Sequence, residues 1–186
     1  KPDFDYDVIE HDGENYIVAH ELAHTVTKIF GWTDWRVVKT FKGAAFEHLR
    51  YRHAFLPREG PFVLGEYVTV DAGTGLVHTA PGHGADDFNT GTRYGLETYT
   101  PVNHRGQFTD DVPLWAGQHV FKANPQIVEH LRERGVLLHA ETITHSYPHC
   151  WRCKNPVIFR ATEQWFIAMD APLRDTTLRA RALEEI

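Results

Sequence analysis

The chain of 186 residues is 42% apolar and 24% charged, which suffices for one sizeable domain and is marginal for two. Its 19 basic against 25 acidic side chains leave a net charge of −6; this argues against wrapping a long nucleic-acid backbone but leaves contact with one end of a nucleic acid open. No apolar run approaches a membrane span, no charged-then-apolar signal segment begins the chain, and Cys150 and Cys153 are too few and too close for a secreted disulfide framework, so a soluble protein of the reducing cytoplasm is expected.

The first segment alternates through Phe4, Tyr6 and Val8, turns at Asp12-Gly13 and resumes at Tyr16-Ile17-Val18, which predicts a β-hairpin. From His20 to Phe30 apolar residues recur at three and four spacing and Gly31 follows, predicting a helix with a glycine stop. Trp35 to Phe41 reads as a strand, and Arg50 to Pro61, with two prolines, as a loop. Strands are expected at Phe62 to Val70 and Leu76 to Thr79, joined by the turn-like Asp71-Ala72-Gly73-Thr74-Gly75. Ala85 to Tyr94 reads as a short helix ended by Gly95, and residues 98–119 as mostly loop. Asn124 with Pro125 is expected to open a helix closed by Gly135, followed by a strand from Val136 towards His145. Strands outnumber helices without regular alternation. The expected class is therefore α+β: a mixed, largely antiparallel sheet or small β-barrel with a few covering helices. The opening Lys1-Pro2-Asp3, with Met169 the single methionine, suggests an interior piece of a longer polypeptide.

Three motifs carry possible chemistry. In His20-Glu21-Leu22-Ala23-His24, two imidazoles one helical turn apart could hold zinc while Glu21 serves a bound water as general base, the signature of a zinc hydrolase. The extended form of that signature asks for Gly and His where Thr27 and Phe30 stand, and Glu47 is only a distant third ligand. A surface helix with solvated histidines is the plainer alternative. Cys150-Trp151-Arg152-Cys153, preceded by His145 and His149, presents two thiolates to one metal, half of the four ligands of a structural zinc site. Two reduced, unliganded thiols are the alternative. Third, Val77-His78-Thr79-Ala80-Pro81-Gly82-His83-Gly84-Ala85-Asp86-Asp87-Phe88 runs from a strand through a Pro-Gly loop to a helix start. Such a loop lets a ligand approach the backbone, a carboxylate in it can pair with an ammonium, and amides can hold hydroxyls or polarise a carbonyl. Asp86 or Asp87 as a helix cap is the bland alternative. No Ser or Cys nucleophile is paired with a base here, so a hydrolysis would use a positioned water.

That third run, with Tyr94-Gly95-Leu96, His145-Ser146-Tyr147-Pro148-His149-Cys150-Trp151-Arg152-Cys153 and Ala161-Thr162-Glu163-Gln164-Trp165-Phe166, closely resembles the editing domain of bacterial isoleucyl-tRNA synthetases over nearly the whole chain, in order and spacing. The resemblance implies an editing-domain fold of the class I valyl, isoleucyl and leucyl type at residues 1–161, with 162–186 beginning the return to the catalytic domain and packing poorly without it. It implies hydrolysis of valine from Val-tRNA(Ile), because one methylene discriminates weakly at the synthetic site and a second sieve is needed. By the resemblance Asp87 holds the substrate α-ammonium and His78 lies beside the amino-acid side chain. Thr79-Ala80-Pro81-Gly82-His83-Gly84 and Asp86 line the same pocket. The implied partners are the aminoacylated 3′ end of tRNA(Ile), valine and the rest of the synthetase chain. No cofactor is expected for editing; Cys150 and Cys153 match half of a structural zinc site, and ATP and magnesium belong to a catalytic domain whose signatures this chain lacks. One departure stands out: the family builds the other pocket wall from a threonine-rich segment, expected just before Lys1. A non-catalytic tRNA-end-binding module therefore stays open beside the hydrolase reading.

Overall fold

The alternation of the first twenty residues produces β1 (Asp5–His11) and β2 (Glu14–Ala19), paired antiparallel in the computed structural model, which describes residues 1–186. The loop is Asp12-Gly13 alone, with φ of 51° and 79°, the twist-matched two-residue turn for which Asp-Gly is suited. A 3-10 turn at His20–Leu22 leads into α1 (Ala23–Phe30), and Gly31 at φ 74° donates its N–H back to the carbonyls of Thr27 and Lys28, closing the helix where the sequence predicts. β3 (Arg36–Lys42) then pairs with the other edge of β1, giving an open sheet ordered β2-β1-β3. An irregularity between Val8 and Ile9 shifts the β1–β3 register, so both Tyr6 and Ile9 reach the core despite their odd spacing. Around them Val18, Ala19, Leu22, Ala23 and Val26 complete the main core.

Two short strands, β4 (Arg50–Arg52) and β5 (Glu59–Pro61), form a hairpin where the prolines predict only loop. Three residues are too few for alternation to be visible, and Pro61 stands at the end of its strand, where a missing N–H is tolerated. α2 (Ala85–Tyr94) ends at Gly95 as expected. α3 (Val120–Glu133) begins four residues before the Asn124-Pro125 pair, which therefore does not cap it; Pro125 lies inside the helix. Tertiary packing decides this: Ala123 is fully buried against Val112 and Trp115, and the Val120 N–H is docked on the Gly106 carbonyl at 2.9 Å. A terminal hairpin, β6 (Pro172–Leu173) with β7 (Thr176–Thr177), precedes α4 (Leu178–Glu184).

The class is α+β with small antiparallel sheets and four helices, and the expected barrel does not close. The strands expected at Phe62 to Val70, Leu76 to Thr79 and Val136 to His145 form no ladder. A strand exists only where its backbone groups meet a register-matched partner. The 74–75 stretch instead makes single contacts with the main sheet: Ala19 N–H to Thr74 O at 2.8 Å and the Tyr6 hydroxyl to Gly75 O at 2.9 Å. Val136, Leu138 and Ile143 remain exposed, so nothing covers the face a strand there would bury. No helix is long and apolar enough to cross a membrane.

Candidate functional site

The run from Thr79 to Asp87 folds as a tight turn locked onto the start of α2. The His83 N–H bonds the Ala80 carbonyl at 2.8 Å, with Pro81 and Gly82 at the turn's centre, where proline presets one torsion. Gly82 is a requirement of space: a β-carbon there would collide with the Tyr99 carbonyl and the Thr100 hydroxyl. Gly91 in α2 is likewise needed, because a β-carbon would meet the Pro81 ring at 2.7 Å. Asp87, half-buried in the first turn of α2, accepts the Ala80 N–H on Oδ1 at 2.9 Å and lays its other oxygen against Gly84. A carboxylate at this position is also favoured by the helix N-terminus. Asp86, next to it, is exposed.

A second set of bonds straps the turn from outside. The His83 Nδ1–H donates to the Phe159 carbonyl at 2.8 Å, which assigns the proton to that nitrogen, and the Ala161 N–H donates to the Gly82 carbonyl at 2.6 Å.

The turn borders a cleft of about 990 Å³. His78, Thr79, Ala80, Pro81 and His83 line it, whereas Gly82, Gly84, Asp86 and Asp87 do not. The structure therefore brings together five of the nine residues singled out in this run and sets Asp87 behind the wall as its buttress. The opposite walls come from residues no sequence pattern marked: His53 and Arg58 in the β4–β5 loop, Tyr51 on β4, and Tyr99. The sequence marks that stretch only as a proline-containing loop. His53 Nδ1 accepts the backbone N–H groups of Phe55 at 3.3 Å and Leu56 at 3.1 Å, so its proton resides on Nε2. Burial, reinforced by the Arg58 charge and then by His78, pushes the His53 pKa below its ordinary value and keeps the ring neutral. Burial, with Asp111 next, raises the Tyr99 pKa, so this hydroxyl stays protonated. No Ser or Cys lines the cleft.

The zinc-hydrolase constellation does not form. His20 lies in the 3-10 turn and bonds the buried Asp7 carboxylate at 2.7 Å, while His24 packs edge-on against Trp35 with ring centroids 5.0 Å apart. Glu47 accepts the Tyr94 hydroxyl at 2.5 Å instead. The cavity beside His20 and Glu21 is only about 100 Å³, and no group of three or more His, Cys, Asp or Glu side chains is arranged to hold a metal anywhere in the chain.

Cys150 and Cys153 do share a knuckle. The Lys154 N–H bonds the Cys150 carbonyl and the Cys150 N–H bonds the Asn155 carbonyl, each at 2.8 Å, with Lys154 at φ 61°. Hydrogen bonds from the backbone of Cys153 and Arg152, together with the Cys153 thiol, hold the Cys150 pKa below the usual thiol range. His149 and His145 turn their Nδ1 atoms to the carbonyls of Tyr147 and Ser146, at 2.8 and 3.0 Å.

No protein-family model matches the chain. Among curated proteins it is similar to the isoleucine–tRNA ligases of Nitratidesulfovibrio vulgaris strain Miyazaki F, at 55% identity over 185 residues, of Persephonella marina, at 52% over 187, and of Erwinia tasmaniensis, at 51% over 186. Each comparison covers 100% of this chain and 19%, 20% and 19%, respectively, of the relative. The chain thus spans about a fifth of the length of the curated relatives it matches.

Proposed function

Since the chain belongs, along its whole length, with a stretch of the bacterial isoleucine–tRNA ligases, we propose that it is the editing module of such an enzyme, releasing valine from Val-tRNA(Ile). The observation that carries this reading is the cleft beside the strapped Pro-Gly turn, wide enough for an aminoacyl ester and lined by His78 and the 79–83 backbone. Water attacks the ester carbon, the bond to the ribose oxygen breaks, and a proton passes to the freed ribose hydroxyl. With no Ser or Cys in the lining, the protein's part is to position substrate and water. His78 stands where side-chain bulk is measured. Asp87 holds the turn through Ala80 from behind the cleft wall, so in this reading it shapes the pocket, and it pairs with the substrate ammonium only if the turn opens towards it.

The partners in this reading are the aminoacylated tRNA end and the remainder of the ligase. Cys150 and Cys153 fit two positions of a tetrahedral zinc site, with two further ligands supplied by another segment; this metal would brace the knuckle and take no part in the hydrolysis.

The test is deacylation of Val-tRNA(Ile) against Ile-tRNA(Ile) by a full-length isoleucine–tRNA ligase carrying this sequence. Asp87→Ala is expected to abolish valine release, and unchanged release would overturn the assignment. His78→Ala is expected to narrow the preference for valine over isoleucine esters; an unaltered ratio would remove His78 from the sieve.

A further inference from the structure

Arg58 is the one arginine among the residues that line the cleft. Arg36, Arg50, Arg132 and Arg179 each pair with a carboxylate, whereas Arg58 takes part in no ion pair although acidic side chains outnumber basic ones. Its guanidinium lies over the Tyr99 ring, 5.8 Å from the centroid, within the range of a cation–π contact, and both residues line the cleft.

The loop that carries it is rigidly tied. The His53 N–H bonds the Arg58 carbonyl at 2.9 Å, the Arg58 N–H bonds the Leu56 carbonyl at 2.8 Å, and the imidazole of His53 fills the loop's interior by accepting two further N–H groups. Phe55 anchors the loop edge-on against Trp115, with centroids 5.5 Å apart. A charge presented in this way costs little to order when a ligand arrives. Its field is already felt, since it disfavours a second positive charge on His53. Of the acidic residues around it, Glu59 in the lining is taken by Arg50 at 3.1 Å, while Asp111 and Glu97 act on the Tyr99 hydroxyl, and none forms an ion pair with the guanidinium.

We infer that Arg58, presented by the β4–β5 loop, grips one backbone phosphate of the RNA end whose terminal ester lies beside His78. The inference rests on the editing reading and adds to it a specific contact. A planar guanidinium matches a phosphate by two parallel hydrogen bonds, and the aromatic ring beneath it fixes the plane. In a chain of net charge −6, Arg58 and Lys1 are the only lysine or arginine side chains lining the cleft, a small positive complement that suits reading a terminus and not a length of nucleic acid.

The experiment measures deacylation of Val-tRNA(Ile) by a full-length ligase carrying this sequence. The tRNA is natural or has its 3′-terminal phosphodiesters replaced one at a time by neutral methylphosphonates. With natural tRNA, Arg58→Gln is expected to raise KM about tenfold, to carry most of its loss in KM and not in kcat, and to reduce the slope of log KM against log salt by about 0.7, one phosphate contact on a single strand. Arg58→Lys should recover part of the loss, because the charge returns without the fork. A single methylphosphonate position should raise the wild-type KM by a similar factor and leave that of Arg58→Gln unmoved. If Arg58→Gln leaves KM unchanged, or its effect multiplies with that of every methylphosphonate, the phosphate contact is overturned. A wild-type enzyme inert towards natural Val-tRNA(Ile) would instead overturn the editing reading itself.

Discussion

Asp7 has no exposed surface, and a carboxylate so placed persists only if its lone pairs are filled. Thr40 Oγ1 at 2.6 Å and His20 Nδ1 at 2.7 Å fill them, joining three segments that sequence distance separates. The use of His20 as a partner for buried charge could not be read from His20-Glu21-Leu22-Ala23-His24, because the deciding residue lies thirteen positions upstream on another element. The site shows the same division. The Pro-Gly turn was legible, since Pro and Gly dictate its backbone, and His78, named beside it, lines the cleft, whereas His53 and Arg58 carry no local signature. For His53 a pH test follows. Its folded pKa lies below the unfolded value of about 6.5, so below that pH the unfolded chain binds the proton first, and stability falls with falling pH until the folded pKa is reached. His53→Asn keeps an acceptor for the Phe55 and Leu56 N–H groups without the titration. Urea midpoints measured from pH 7 to pH 5 should therefore fall less steeply for this variant than for wild type; parallel curves would refute the depressed pKa.

Among the elements, those specified by neighbouring residues followed the sequence. The Asp12-Gly13 hairpin and the helix ends at Gly31 and Gly95 each depend on a few residues and a positive φ. α3 did not, since burial of Ala123 outweighs the preference of Asn124-Pro125 for a helix start. Pro125 is therefore a proline in a helix interior, without an N–H to donate to the preceding turn. Pro125→Ala is expected to stabilise the protein by about 1–3 kcal/mol, seen as a higher urea midpoint with unchanged slope. A lower midpoint would show that the ring makes contacts worth more than the missing bond. Gly31→Ala should act in the opposite sense, losing about 1 kcal/mol because its left-handed backbone disfavours a side chain.

At the scale of the molecule, α+β composition was legible and barrel closure was not, because closure depends on pairings between distant segments that no window of sequence contains. Only 21 of 186 residues are buried, concentrated in the β1–β3 sheet with α1 and in the small cluster around Trp115, so stability is distributed unevenly. Residues 136–168 contain no helix or named strand, and Trp165 is fully exposed with Phe166 and Ile167 close behind. Limited proteolysis is accordingly expected to cut first between residues 136 and 168 and to leave the β1–β3 sheet intact, as read by mass spectrometry of the earliest products. First cuts within β1–β3 would contradict this ordering.

The strap across the Pro-Gly turn also sets a schedule for synthesis. His83 is translated 76 residues before Phe159, its hydrogen-bond partner. At ribosomal speeds of roughly 5–20 residues per second the turn waits about 4–15 seconds for that partner. During that interval the nascent chain can form the first hairpin and α1 from local contacts, while the cleft lacks its outer fastening. A newborn molecule thus acquires its scaffold before its cleft is fastened, and the fastening is completed late, when the segment carrying Phe159 and Ala161 has left the ribosome.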